Sequence, residues 1–354
     1  MENRGVLHAL AAAGLFGLST PAAKLLLGDL SPLMLSALLY LGAAAALHAY
    51  RFDSREAQLS SGDLPLIAGI TFFGGILGPI LMLFGLRHLS AVAGSLLLNL
   101  EAPFTVLIAI GLLGEHLGRR ETMASAAIMS GAALIGFQPA QVHGDSLGAI
   151  EIAAACLCWG IDNNLTQRIS LRDPVAVARI KTLAAGACVF VLALWTGGGQ
   201  LPGMTALISA GVVGALCYGV SIALAVKALR ELGAARESAY FASAPFIGAI
   251  ASMALFRELP AWPDIIGTVA MLGGIGLIMR ERHSHAHTHE RIVHEHLHVH
   301  DEHHQHEHEH VDEPILPEPH SHQHTHSTVK HEHPHVSDVH HRHGHQLASE
   351  SGNK

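Results

Sequence analysis

The feature that most constrains this chain is a series of long apolar runs separated by short polar breaks. Ten runs occur before residue 281, each close to the length that a helix needs to cross a bilayer. They are continuously apolar, without the alternation of barrel strands, so helices are predicted. The predicted spans are 5–27, 31–50, 64–86, 90–113, 121–138, 146–166, 174–196, 204–228, 234–256 and 263–280.

The composition changes sharply after the last run. Residues 1–280 contain 16 Lys and Arg against 16 Asp and Glu, whereas residues 281–354 contain 5 against 13 and account for the formal charge of −8. The second region also holds 24 of the 29 histidines. A polar, low-complexity segment of this kind cannot bury a core, so a disordered tail is predicted to follow a membrane body.

The membrane body contains an internal repeat with a spacing of 142 to 143 residues. Phe16 matches Trp159, and the Ala-Pro-Phe stretch at 102–104 matches the one at 244–246. Five spans in each half is the simplest division, and because five is odd, the second half must be inverted. The predicted fold is an all-α membrane protein of ten transmembrane helices in two inverted five-helix repeats, at 1–138 and 139–282, with the tail at 283–354.

The basic residues of the short loops predict the orientation. With the N-terminus in the cytoplasm, twelve Lys and Arg residues near the ends of the spans lie inside and three lie outside, which follows the positive-inside rule. Both termini, and with them the histidine-rich tail, are therefore predicted to be cytoplasmic. The three outside residues are Lys24, Arg87 and Arg257.

Glu101 is the leading candidate for a functional residue because it lies near the middle of the fourth run. An intramembrane carboxylate is costly and normally faces a cavity, a partner or a substrate. Pro103 removes a backbone hydrogen bond and frees the carbonyl of Asn99, so a kink is predicted there. The matching stretch keeps Pro245 but has Ser243 in place of the acid. The pathway is therefore predicted to be asymmetric. A structural role for Glu101, by pairing with a base or capping the freed backbone, is the alternative.

The sixth and seventh runs add further polar residues. Asp162 and Asn163 are candidates for the cytoplasmic half of the pathway, with simple solvation near the membrane surface as the alternative. Arg179 and Lys181 lie one or two turns inside the seventh run and are predicted to extend their charges to the membrane surface. If one of them points inward, it is placed to bind an anionic substrate or to pair with Glu101.

Together these features resemble a known family. The repeated Phe/Trp-Gly pairs, the Glu-Ala-Pro and Ser-Ala-Pro stretches and the glycine-rich last helices resemble the drug/metabolite transporter superfamily, with two tandem EamA-type domains. The resemblance covers about residues 5–280. It implies a multi-pass transporter of the bacterial inner membrane that exports amino acids or other small metabolites by alternating access.

The tail predicts metal binding. Neutral imidazoles suit Zn²⁺, Ni²⁺, Co²⁺ or Cu²⁺, and their dense alternation predicts loose binding at several sites, as in a metal buffer. No metal or other cofactor is required by the membrane body. The candidate ligands are His283, His285, His287, His289, His294, His296, His298, His300, His303, His304, His306, His308, His310, His320, His322, His324 and His326.

Three functions remain open from the sequence. The first is a small-metabolite exporter with a metal-binding tail, the second is a Ni, Co or Zn exporter that uses Glu101 and Asp162, and the third is a membrane-anchored metal store. An enzyme is not expected, because no nucleophile, phosphate loop or catalytic dyad is recognisable. The expected partners are the lipid bilayer, a small-molecule cargo and divalent ions at the tail. No nucleic-acid partner is expected, and the oligomeric state is open.

Overall fold

The computed structural model describes residues 2–50, 57–113, 119–136, 145–170, 172–197, 199, 201–279 and four short tail segments. Each of the ten predicted runs is helical, and we refer to them as the first to the tenth span. In chain order their helices are α1 (Glu2–Leu26); α2 (Pro32–Ala49); α3 (Leu64–Ile70) with α4 (Gly78–His88); α5 (Ala91–Leu97) with α6 (Glu101–Leu113); α7 (Arg119–Gly136); α8 (Asp145–Arg168); α9 (Pro174–Thr196); α10 (Met204–Val213) with α11 (Ser221–Leu232); α12 (Ala234–Phe241) with α13 (Ala244–Phe256); and α14 (Trp262–Met279).

The length and apolarity of these helices suit a membrane. Among the described residues, seven helical segments are long and apolar enough to cross a bilayer, and the fifth and tenth spans contain shorter apolar helices. The sixth span, α8, has 24 residues and is more polar. Asp162 and Asn163, which were predicted to line the pathway, are among its polar residues.

Several spans begin where a side chain caps the helix. The Ser31 hydroxyl accepts a hydrogen bond from the Met34 amide at 3.2 Å, and the Ser90 hydroxyl accepts one from Ala93 at 3.1 Å. The Asp173 carboxylate accepts the Val175 amide at 2.9 Å at the start of α9. These caps satisfy amides that have no partner within the helix, so the polar residue before each apolar run fixes its first turn.

The spans of the two halves interleave in one bundle. The first span packs against the eighth and ninth, and in the equivalent way the sixth packs against the third and fourth. The second and seventh, fourth and ninth, and fifth and tenth spans pack against their own counterparts. This arrangement is that of two repeats related by a pseudo-twofold axis, and it agrees with the predicted inverted repeat.

The fifth and tenth spans cross closely because glycines lie at their contact. A Cβ added to Gly131 would lie 2.6 Å from the carbonyl oxygen of Gly267, and one added to Gly267 would lie 2.8 Å from the carbonyl oxygen of Gly131. Small residues allow such an approach, and close van der Waals packing is what holds helices together in lipid.

Two kinds of irregular backbone recur at equivalent places in both halves. The third span contains a π-helical segment at Thr71–Leu77, and the eighth contains one at Gly214–Val220, 143 residues later. The fourth span is interrupted by a 3₁₀ turn at Leu98–Leu100, and the ninth by a turn at 242–243. Such interruptions often mark functional positions, because they free backbone groups from the helix.

The tail contains four short strands outside the bundle. They pair in antiparallel fashion, His283–His289 with Val329–His335 and Ile292–His298 with His320–His326. The sequence predicted a disordered tail, whereas these segments have regular pairing. The period-two alternation of histidine with other residues is compatible with an extended backbone, which explains the difference. His300, His303, His304, His306, His308 and His310 lie outside the described residues.

Candidate functional site

Glu101 lies where the fourth span is interrupted, at the first residue of α6. Its carboxylate Oε1 accepts a hydrogen bond from the Asn163 side-chain amide of the sixth span at 2.8 Å. The same Asn163 nitrogen is 3.2 Å from the hydroxyl oxygen of Thr105, one turn further along α6. Glu101 is partly buried and Asn163 is exposed.

The sixth and seventh spans contribute an ion pair next to this carboxylate. The Lys181 ammonium binds Asp162 Oδ2, and the Thr166 hydroxyl lies 3.4 Å from Asp162 Oδ1. Asp162 is only 5% exposed. Glu101 interacts electrostatically with both Asp162 and Lys181, so the three charged groups form one cluster. We call Glu101, Asn163, Asp162 and Lys181 the charged cluster.

The π-helical segment of the third span shapes one wall of the charged cluster. The Gly74 carbonyl accepts hydrogen bonds from the Tyr40 hydroxyl at 2.9 Å and from the Trp159 indole nitrogen at 3.2 Å. A Cβ on Gly74 would lie 2.0 Å from Asp162 Oδ2. Only glycine fits here without a shift, because any side chain would displace the carboxylate that pairs with Lys181.

Aromatic rings extend from the charged cluster toward the other half. The Tyr40 ring lies 6.0 Å from that of Tyr218, which lies 5.8 Å from Phe16, and Phe16 is 5.3 Å from Phe241. We call these four rings the aromatic chain. They come from the second, eighth, first and ninth spans, so the chain crosses between the repeats. The Tyr40 hydroxyl binds the carbonyl of Gly74, which packs against Asp162, so one end of the chain lies beside the charged cluster.

Three residues that were predicted to line the pathway are not part of the charged cluster. The Asn99 amide donates to the Leu96 carbonyl at 2.9 Å and contacts the Met271 sulfur at 3.7 Å, which directs it toward the tenth span. Pro103 and Pro245 lie in the first turns of α6 and α13, where the missing amide costs little. The predicted interruptions are present, but each lies just before its proline.

The Ser243 hydroxyl also remains within its own span. It donates to the Tyr240 carbonyl at 2.7 Å, and so satisfies a backbone group at the interruption of the ninth span. The equivalent carboxylate of Glu101 instead binds a residue of a neighbouring span. Near the other interruption, the Cys156 thiol lies 3.7 and 3.8 Å from the Leu97 and Leu98 carbonyls, at weak hydrogen-bonding distance.

The predicted position of the Lys181 side chain is wrong. The sequence favoured an ammonium extended to the membrane surface, whereas the side chain points inward and pairs with Asp162. The rotation of the seventh span about its axis decides between these outcomes, and a continuous apolar run does not encode that rotation. Arg179 has a different role, since it donates to the Leu47 and Tyr50 carbonyls at 2.9 and 2.6 Å and caps the end of α2.

The site also contains residues that were not predicted from the sequence. Tyr40, Gly74 and Thr105 were not distinguishable from ordinary residues of apolar runs. Among the described residues, no group of three or more His, Cys, Asp or Glu side chains is arranged to hold a metal ion. Within the charged cluster, the Asp162 carboxylate pairs with the Lys181 ammonium and not with a second metal-ligating side chain.

Comparison with known proteins identifies the architecture. The EamA-like transporter family matches residues 3–137 and again residues 146–280. The chain belongs to the EamA-like transporter family. The recognition of two tandem EamA-type domains is confirmed, and the protein is a multi-pass membrane transporter whose setting is the lipid bilayer and whose cargo is a small molecule.

Individual relatives agree with this assignment. An uncharacterized transporter of Methanothermobacter thermautotrophicus is 25% identical over 294 residues, which cover 77% of this chain and 85% of the relative. A crystal structure of a further protein is similar with a TM-score of 0.57, and the match covers 78% of this chain and 98% of the other at 18% identity. The structural match supports the fold of this EamA-like transporter.

Proposed function

We propose that this EamA-like transporter is a secondary transporter that exports a small metabolite, such as an amino acid, by alternating access. The observation that carries the proposal is the charged cluster. It lies beside helix interruptions and combines residues of the fourth span in the first half with residues of the sixth and seventh spans in the second. Sites between inverted repeats, next to interrupted helices, are typical of secondary transporters.

The cluster favours an organic cargo over a divalent metal ion. A metal path through Glu101 and Asp162 would use both carboxylates as ligands, but Lys181 already neutralises Asp162. The Glu101 carboxylate accepts the amide of Asn163, and that amide also lies 3.2 Å from the hydroxyl of Thr105. These are weak ligands for Ni²⁺, Co²⁺ or Zn²⁺, which prefer imidazole or thiolate. We therefore do not assign metal export to the spans.

The cellular setting follows from the loop charges. We place the transporter in the bacterial inner membrane with both termini in the cytoplasm, because twelve of fifteen basic residues near the span ends then lie inside. We assign it no enzymatic activity. Cysteine substitution at Lys354 and at Trp195, with membrane-impermeant labelling of intact cells, tests the orientation. Labelling of position 195 alone is expected, and labelling of position 354 would contradict it.

We further propose that the tail binds divalent metal ions. In its two strand pairs, histidine lies opposite histidine at six positions, such as His285 opposite His333 and His296 opposite His322. Opposite positions of antiparallel strands have Cβ atoms about 5 Å apart, which suits two imidazoles that share one ion. Titration of the full chain with Ni²⁺ or Zn²⁺ is expected to give several sites, which are lost when residues 283–354 are deleted.

Export itself is tested in proteoliposomes loaded with labelled amino acids and related metabolites. Efflux of at least one compound above the protein-free background is expected, and it should fall at least tenfold in Glu101→Gln. Glu151→Gln is the matched control, since Glu151 lies at the other end of the sixth span with His88 at 4.0 Å. Absence of efflux for every compound would overturn the proposed function. Deletion of the tail is expected to leave efflux unchanged.

A further inference from the structure

The charges of the charged cluster do not cancel. Asp162 and Lys181 form an ion pair with no net charge. The hydrogen-bond partner of Glu101 is the neutral amide of Asn163, so the cluster carries one excess negative charge when Glu101 is ionised. Within a membrane span such a charge is poorly solvated and strongly favours a neighbouring cation.

The excess charge also lies on the less buried of the two carboxylates. Glu101 is partly buried beside the exposed Asn163, whereas Asp162 is covered by Gly74 and is 5% exposed. A ligand therefore reaches Glu101 without displacing the ion pair. A cargo carboxylate, in contrast, would bind Lys181 only after that ammonium had left Asp162, which would expose an unpaired buried carboxylate at a large cost.

The aromatic chain provides a second, independent reason to expect a cation. Its four rings begin at Tyr40, whose hydroxyl binds the Gly74 carbonyl beside Asp162, and continue through Tyr218 and Phe16 to Phe241. The faces of aromatic rings attract cations, and their bodies offer apolar surface. Tyr218 and Phe16 are partly buried, so some of this surface is accessible.

We propose that the cargo carries a protonated amine that binds the Glu101 carboxylate, and an apolar body that packs against the aromatic chain. The inference rests on the proposed function and narrows it. A free amine is the required feature of the cargo, and a carboxylate is dispensable because Lys181 is already paired. Glu101 is then the residue that determines specificity for the amine.

Three matched sets of compounds test this specificity: the amino acids, their amides and their N-acetyl derivatives. The amides are cations, whereas the N-acetyl compounds are anions of similar shape. Each compound is added to the purified full-length protein in detergent, and thermal unfolding is recorded. We expect at least one amide to raise the Tm by about 2 °C or more at saturation, and no N-acetyl derivative to do so.

The comparison among the three sets uses the unmodified protein, so it does not depend on the folding of a variant. Glu101→Gln is expected to abolish the shift, whereas Glu151→Gln is expected to retain it. The inference is overturned if N-acetyl compounds stabilise the protein as well as amides do, if no compound does, or if Glu101→Gln keeps the shift. Amine binding without efflux in proteoliposomes would instead overturn the proposed function and leave the amine site in place.

Discussion

The two halves of the bundle share a backbone plan but differ in the residues at the site. Glu101 in the first half corresponds to Ser243 in the second, at a spacing of 142 residues. In the opposite direction, Asp162 and Lys181 correspond to Ser19 and Leu38, at a spacing of 143. All three charged side chains therefore lie on one side of the pseudo-twofold axis, and their counterparts are small or apolar.

The difference separates two physical tasks. On the charged side, a carboxylate and an ion pair are available for a polar group of the cargo. On the other side, Phe16, Tyr218 and Phe241 are in ring contact and offer apolar surface. Interleaved spans bring both sides into one bundle. The repeat thus provides a symmetric frame, and its divergence provides one charged end and one aromatic end.

The largest effect on stability is expected when only one residue of the Asp162–Lys181 ion pair is replaced by its counterpart from the first half. Asp162→Ser leaves the Lys181 ammonium buried without its partner, which should lower the free energy of unfolding by about 3–5 kcal/mol. The double variant Asp162→Ser/Lys181→Leu, which copies Ser19 and Leu38, should recover most of this loss. SDS titration in mixed micelles measures both, and a double variant as unstable as the single one would contradict the pairing.

Replacement of Glu101 by serine, the residue at the equivalent position 243, should affect transport rather than folding. Glu101→Ser removes a charge-assisted contact worth about 2–3 kcal/mol, so efflux should fall by about 30- to 150-fold. Ser243→Ala removes only a bond within the ninth span and should change efflux less than about twofold. Equal losses in the two variants would show that the halves are functionally equivalent.

The sequence predicted the frame better than the site. Bilayer thickness dictates the length of the apolar runs, and the repeat is visible in stretches such as Ala102-Pro103-Phe104. The ten spans and the inversion of the second half could therefore be predicted. Glu101 was recognisable because a carboxylate stands out in an apolar run. Its bond to Asn163 was not, since that bond depends on how the fourth and sixth spans pack.

Other parts of the site carry no sequence signal of their own. Gly74 is one of 36 glycines, and only the structure reveals that its missing side chain makes room for Asp162. Lys181 has the same sequence context whether it extends to the surface or points inward. An alignment of the two halves would have helped, because it pairs Gly74 with Cys217 and Lys181 with Leu38 and so marks both positions as divergent.

A smaller effect is expected at the glycine of the third span. Gly74→Ala places a Cβ 2.0 Å from Asp162 Oδ2, and overpacking of this kind costs about 1–3 kcal/mol. Gly111→Ala is the matched control, because nothing lies within 4 Å of its added Cβ. The melting temperature in detergent should fall only in the first variant. A Gly74→Ala protein as stable as Gly111→Ala would contradict the close contact.

The smallest effect concerns the pair Trp159 and Phe16. Trp159→Phe copies the first-half residue and removes the indole donor to the Gly74 carbonyl. Because Tyr40 still donates to that carbonyl, the loss should be about 1 kcal/mol. In the double variant Trp159→Phe/Tyr40→Phe the carbonyl loses both side-chain donors, and the total loss should exceed the sum of the two single losses. If the two losses are additive, the two hydrogen bonds act independently, which would contradict this prediction.

Carbodiimide labelling tests the asymmetry of the site most directly, because the reagent modifies carboxyl groups in apolar surroundings and mass spectrometry locates the product. Glu101 should be labelled and Asp162, held by Lys181, should not. The amino-acid amide that gives the largest thermal shift should protect Glu101, whereas its N-acetyl counterpart should not. Labelling of Asp162 in preference to Glu101, or labelling of Glu101 that the amide leaves unchanged, would contradict the account.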